Sequence, residues 1–273
     1  MKIIVCIKQV PDTTNIKINP EDNTLVREGV DSIINPFDVY ALEEGLRIKE
    51  KHGGSVIVLS MGPPQVEDSL REAISLGIDE AYLLSDRGFA GADTLATGYT
   101  LAAGIRKLGG ADIILMGRQA IDGDTGQVGP GVAENLGISH ITDIKKIEQI
   151  DDQGAIIVER LLEDGYARLK TKLPVLLTVV KEINEPRLPS LKGKLRARKQ
   201  EIPVWTQADL DINPERIGLT GSPTWVKRIF TPPRPPGGKI IEGETKEAVT
   251  ELLKALVKAG VPIAKNRGEQ EDG

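Results

Sequence analysis

The stretch GRQAIDGDTGQVGPGVAENLG, residues 117–137, decides the reading of this chain, because it joins a buried strand to a helix through a polar turn rich in glycine. The apolar run Ile113, Ile114, Leu115 and Met116 before it is short and branched, bounded by Asp112 and Gly117, and reads as a strand covered on both faces. Gly117, Gly123, Gly126, Gly129 and Gly131 follow, and allow positive φ and close approach of a ligand to peptide N–H groups. A helix is expected to begin near residues 125–128, where its first N–H donors lack internal partners and attract an anion. Glycine-rich turns of this kind are common in α/β proteins. Here Gln119, Asp122, Asp124, Thr125 and Gln127 add hydrogen-bonding side chains between the glycines, and that density favours a binding site. Asp122 and Asp124 would repel a phosphate, so they are expected to cap backbone N–H groups or meet ribose hydroxyls.

Strands and helices alternate outward from this turn. Residues 2–10 read as a strand, followed by a polar, hairpin-like excursion through 12–33. Asn35, Pro36, Phe37 and Asp38 then open a helix reaching about residue 51, with Pro36 suited to its first position. A strand at 55–60 passes through Met61 and two prolines into a helix at 66–76; a strand lies near 81–84, and a helix spans 93–108. Such alternation implies an α/β fold, a doubly wound parallel sheet of Rossmann-like type. Ligands then bind beyond the carboxyl ends of the strands, where 6–10, 35–38, 61–64 and 117–128 all lie. After Gly137, runs at 141–150, 155–162, 166–173 and 175–180 read as an antiparallel extension of the same sheet.

Composition excludes several classes. With 273 residues the chain can bury a large core, and with 40% hydrophobic but 3% aromatic residues that core must be aliphatic. A net charge of −5 argues against nucleic acid as the main partner. Cys6 is the only cysteine, and His52 and His140 are the only histidines, which leaves no disulfide and no expected metal centre. The N-terminus has too short an apolar run for a signal peptide or membrane insertion, and a cytoplasmic location is expected.

The string QAIDGDTGQVG (119–129) resembles the nucleotide loop of the electron-transfer flavoprotein β-subunit family, and NPFDVYALEEGLRIKEK (35–51), SMGPP (60–64) and NEPR (184–187) continue the likeness in the same order. The resemblance covers nearly the whole chain. It implies a nucleotide held by Cys6, Asn35, Pro36, Phe37, Asp38 and Met61 together with the central loop. From that loop it takes Met116, Gly117, Arg118, Gln119, Ala120, Ile121 and Asp122, then Gly123, Asp124, Thr125, Gly126, Gln127 and Val128. Arg118 is a candidate positive charge near the ligand. No catalytic side chain is singled out.

The segment GADTLAT (91–97) places Asp93 as a helix cap with the Thr94 and Thr97 hydroxyls one turn apart, suited to a second phosphate, although threonines at helix starts are common caps. In the resembling family, members that hold AMP here are structural scaffolds, whereas an electron-bifurcating group carries a DTLAT-like segment and holds FAD. The likeness therefore implies FAD, with AMP as the alternative, and NADH as hydride donor. One electron would go to ferredoxin or flavodoxin. The other would pass through an α-subunit FAD to an acyl-CoA dehydrogenase or quinone-linked oxidoreductase. A nucleotide-hydrolysing α/β enzyme is a remote alternative, since residues 6–11 lack the phosphate loop of that class.

Two segments point to partners. Residues 187–199 carry Arg187, Lys192, Lys194, Arg196, Arg198 and Lys199 and no acid, which alone reads as a solvated surface. In the family the matching segment docks on dehydrogenases through a leucine; Leu191 stands at that place, flanked by Lys192, Lys194 and Arg196 as steering charges. The proline-rich run 231–238 reads as a stiff linker to an amphipathic helix at 246–259. The expected organisation is a nucleotide-binding domain at 1–229 and a C-terminal arm at 230–273 that, as the resemblance implies, embraces the α subunit, or else packs on its own chain.

Overall fold

Ile3 and Val5 face one side of the first strand and Ile4 and Cys6 the other, and all four are buried, so this strand has helices on both faces. The computed structural model describes residues 1–12, 17–18, 25–26, 31–227, 237–238 and 240–262. That first strand, β1 (Lys2–Cys6), is followed by β2 (Gln9–Pro11), β3 (Lys17–Ile18), β4 (Leu25–Val26) and β5 (Ser32–Ile34). Next come α1 (Pro36–His52), β6 (Ser55–Met61), α2 (Val66–Leu76), β7 (Glu80–Leu84), α3 (Thr94–Lys107), β8 (Ile113–Gly117) and α4 (Val128–Leu136). The chain continues through β9 (Ser139–Ile150), β10 (Ala155–Leu162), β11 (Gly165–Lys172), β12 (Val175–Val179), α5 (Leu191–Lys199), β13 (Val204–Trp205) and α6 (Thr245–Lys258).

Among the described residues, nine strands form one sheet in the order β11-β10-β9-β12-β8-β1-β6-β7-β13. Every pairing from β9 to β13 along this order is parallel. From β1 the chain moves outward through β6 and β7, then returns to place β8 on the other side of β1. The order reverses there, and a crevice opens between the carboxyl ends of β1 and β8.

Two apolar layers sandwich the sheet. Leu42 and Leu46 of α1 and Leu70 and Ile74 of α2 pack with Ile3, Val5 and Leu115 on one face; Leu101 and Ile105 of α3 and Val132 of α4 pack with Ile4, Leu59 and Ile114 on the other. Each fully buried aliphatic side chain of this kind contributes roughly 2 kcal/mol.

Three differences from the sequence reading have physical causes. The strand expected over 2–10 ends at Cys6, and β2 pairs antiparallel with β5 in a separate small sheet. The antiparallel part is confined to β9, β10 and β11, because β12 returns between β8 and β9 and runs parallel to both. The edge strand β13 is two residues long, too short to leave a periodic signature. Within the polar excursion β3 and β4 pair antiparallel, and residues 13–16, 19–24 and 27–30, like the proline run 231–236, lie outside the described residues.

The chain divides into two units, Met1–Ile229 and Phe230–Gly273. In the second, α6 buries none of its residues, and its Leu252 and Leu253 remain 47% and 43% exposed. No helix among the described residues is long and apolar enough to cross a membrane.

Candidate functional site

The crevice between β1 and β8 is closed by the start of α1. Asp38, in the first turn of that helix and 6% exposed, accepts the Lys8 N–H at 2.7 Å through one carboxylate oxygen and the Gly117 N–H at 3.0 Å through the other. It thereby ties the chain leaving β1 to the end of β8. Burial pushes its carboxyl up from 3.8 to about 7, against the N–H groups of Lys8 and Gly117, the Asn35 side chain and the Lys8 charge, which all favour the ionised form. The approach is close enough to exclude any side chain at position 117: a Cβ there would lie 2.4 Å from Asp38 Oδ1 and 2.6 Å from Phe37 Cβ.

Asn35 was expected to open α1, and the helix does begin at Pro36, but its side chain makes no cap. Instead Asn35, 1% exposed, reaches across the crevice, donating from Nδ2 to the Gln119 carbonyl at 2.9 Å and accepting the Ile121 N–H at Oδ1 at 3.1 Å. The two bonds fix the loop in the manner of a strand partner.

Within the loop, the Gly123 and Asp124 N–H groups both turn back to the Ala120 carbonyl, and Asp124 and Gly126 adopt positive φ of 52° and 63°. The two loop acids meet side chains rather than capping N–H groups: Asp122 pairs with Lys8 Nζ at 2.7 Å, and Asp124 accepts from Gln119 Nε2 at 2.6 Å. Their charge is turned toward donors. Arg118 is likewise paired, with Asp143 at 3.2 Å, a residue itself held at a φ of 59°. Neither Lys8 nor Asp143 stood out in the sequence, because each is a lone charge outside any motif whose partner is distant along the chain.

The far side of the crevice is formed by two helix N-termini. Asp93 caps α3 by accepting the Leu95 and Ala96 N–H groups, and its second oxygen accepts from the Thr224 hydroxyl at 2.8 Å. Thr94 donates its hydroxyl to Gln127 Oε1 at 2.9 Å and so links the start of α3 to the start of α4. That second helix has no side-chain cap and no acid in its first turn. A Cβ on Gly123 or Gly131 would meet nothing within 4 Å, so the space beside this helix start is open. Thr97 is half-buried one turn behind Thr94, while Thr125 and Val128 flank the turn into α4.

Cys6 and Met116 are register partners at the carboxyl ends of β1 and β8, and Met61 ends β6 at the same edge. Burial, then the nearby Asp38 charge, pushes the Cys6 thiol up to about 12, so it stays protonated and acts by packing. Among the described residues no group of three or more His, Cys, Asp or Glu side chains is placed to hold a metal ion.

The basic segment is more committed than its composition suggests. Leu191 is 76% exposed and Lys192 and Lys194 are exposed beside it, but Arg196 donates to the Ile74 and Ile78 carbonyls at the end of α2. Arg187 is clamped between Glu43 and Glu50 of α1, at 2.8 Å and 2.6 Å. Gly193 packs so tightly on α2 that a Cβ would lie 2.0 Å from the Ser75 carbonyl oxygen. The segment is thus a short helix fastened to α1 and α2 that displays Leu191.

A doubly wound sheet with a polar, glycine-containing loop at its switch point defines the α/β class that takes ligands in that crevice. Residues 22–210 match the electron transfer flavoprotein domain. The chain is 53% identical over 257 residues to the electron transfer flavoprotein subunit beta of Thermoanaerobacterium thermosaccharolyticum, covering 94% of this chain and 98% of that one. It is 51% identical over 259 residues to the caffeyl-CoA reductase-Etf complex subunit CarD of Acetobacterium woodii, with the same coverage, and 50% identical over 238 residues to the protein FixA of Azorhizobium caulinodans, covering 85% of each. The chain belongs to the electron transfer flavoprotein family, as a beta-subunit member.

Proposed function

We propose that this chain pairs with an alpha subunit and holds FAD in the crevice formed by the 117–128 loop, in an assembly that takes a hydride from NADH and divides its electrons between two acceptors. The observation that carries this reading is the start of α4, uncapped and free of acid, beside open space and with both loop aspartates turned to Lys8 and Gln119. Such a helix start favours a phosphate through its N–H groups and dipole. When bound, a flavin supplies hydride acceptance and one-electron release. The chain's residues do the holding. Asn35 and Asp38 fix the loop, Lys8 compensates Asp122, and Thr94 with Gln127 sets the spacing of the two helix starts.

Ferredoxin or flavodoxin is the proposed low-potential acceptor, and a dehydrogenase reached through the alpha subunit's flavin the other. The printed name of the CarD relative, a subunit of a caffeyl-CoA reductase-Etf complex, supports an acyl-CoA-type oxidoreductase as that partner. Nucleotide extracted from the purified heterodimer tests the reading. Two FAD per heterodimer are expected, and one FAD with one AMP would instead assign a scaffold role.

Replacing Thr94 and Thr97 together by valine is expected to weaken FAD retention at least tenfold while leaving the melting temperature within a few degrees, because Thr94 contributes one hydrogen bond between helix starts. Unchanged flavin content in the folded double variant would remove both hydroxyls from the site. Leu191→Ala is expected to cut turnover with the partner dehydrogenase about tenfold or more, as for an exposed anchor at an interface. NADH-dependent flavin reduction should stay intact, and stopped-flow reduction measured beside steady-state turnover separates the two; equal losses would place Leu191 in the fold instead.

A further inference from the structure

A second polar cleft lies away from the crevice, at the other ends of α3 and α4. It is an open cleft of about 540 Å³, lined by Tyr99, Arg106, Asn135, Asp211, Asn213 and Arg216, with Ile212 at its wall. Arg106 is twelve residues along α3 from Thr94, about 18 Å at helical rise.

Asn135 gathers both arginines. Its carbonyl accepts from Arg106 Nη1 at 3.0 Å and its Oδ1 accepts from Arg216 Nη2 at 3.3 Å. The Arg216 guanidinium also stacks on the Tyr99 ring at 4.0 Å, and the Tyr99 hydroxyl accepts the Asn213 N–H at 2.9 Å, leaving its own proton to donate. Among the described residues neither guanidinium pairs with a carboxylate, in contrast to Arg47, Arg71, Arg118, Arg168 and Arg187. Two cations held around one amide repel each other, and each retains N–H donors beyond the one given to Asn135. Capping the last carbonyls of α4 explains the Arg106 bond. It does not explain a second, stacked arginine on the same residue.

We propose that this cleft binds a phosphorylated sugar or nucleotide, its phosphate between Arg106 and Arg216 and its hydroxyls toward Asp211. Planar guanidinium pairs suit phosphate oxygens, and the stacked one is held in place before binding. Asp211 opposes a bare anion and favours a ligand that brings a hydroxyl donor beside its phosphate. The cleft volume falls in the range of small-molecule sites.

The test uses the full-length chain in complex with its alpha subunit and with its resident nucleotide bound, titrated calorimetrically with ribose 5-phosphate and with inorganic phosphate. One ribose 5-phosphate per heterodimer is expected, bound more tightly than inorganic phosphate and without release of the resident nucleotide. Arg106→Gln and Arg216→Gln should each weaken it at least tenfold. Asp211→Asn should strengthen inorganic phosphate and narrow the difference between the two ligands. If Arg216→Gln lowers the melting temperature, Arg106→Gln alone decides, since its side chain makes a single hydrogen bond here. No binding to the unmodified complex, equal binding by Arg106→Gln, or displacement of the resident nucleotide would overturn the assignment.

Discussion

Gly117→Ala is expected to lower the unfolding free energy by about 3 kcal/mol and to empty the nucleotide crevice. The added methyl would sit 2.4 Å from Asp38 Oδ1 and 2.6 Å from Phe37 Cβ, and neither is the free end of a flexible chain. Asp38 is buried and holds two N–H donors, one from the chain leaving β1 and one from the end of β8, and Phe37 Cβ belongs to the first turn of α1. Relief requires α1 to move off β8, which breaks the Gly117–Asp38 bond and loosens the packing of Leu42 and Leu46 behind it. Urea unfolding measured beside the flavin content of the purified protein checks both effects. An unchanged midpoint would show that the junction yields without cost.

Asn35→Ala is expected to weaken nucleotide binding about 100-fold, a loss of about 3 kcal/mol. The substitution leaves the Gln119 carbonyl and the Ile121 N–H without their partner in a site where Asn35 is 1% exposed, and each orphaned group costs about 1–3 kcal/mol. Asn35→Asp is a useful companion. It can still accept the Ile121 N–H but cannot donate to Gln119, so its affinity should lie between those of alanine and asparagine. If alanine and asparagine retain nucleotide equally, the loop holds its shape without this bridge.

Much of this arrangement is legible in the sequence. The short branched apolar run Ile113 to Met116, Pro36 at a helix start and Asp93 ahead of Thr94 are local signals, and local signals survive folding because they depend on neighbouring peptides. The parallel insertion of β12 was not legible. Val175 to Val179 is buried on both faces, and such a run reads the same whether its neighbours run with it or against it. The role of Asn35 in the loop has no local signal: only the crevice geometry shows that its amide serves the loop 84 residues away. Arg196 and Arg187 read as free charges because the α2 carbonyls and the α1 carboxylates that engage them are remote in sequence.

The placement of Arg187 sets the boundaries of any transplant between relatives. Its guanidinium is gripped by Glu43 and Glu50, Asn184 donates to Glu44 and to the Tyr40 carbonyl, and the same helix carries Asp38 and follows directly on Asn35. The segment proposed to dock, exchanged as residues 187–199 alone, would arrive without its mooring posts, free to present Leu191 at an arbitrary angle. The portable cassette is larger and discontinuous: it comprises 184–199 together with the middle of α1. Because α1 also seats the loop at 117–121, a graft that tilts that helix would disturb ligand retention along with partner choice.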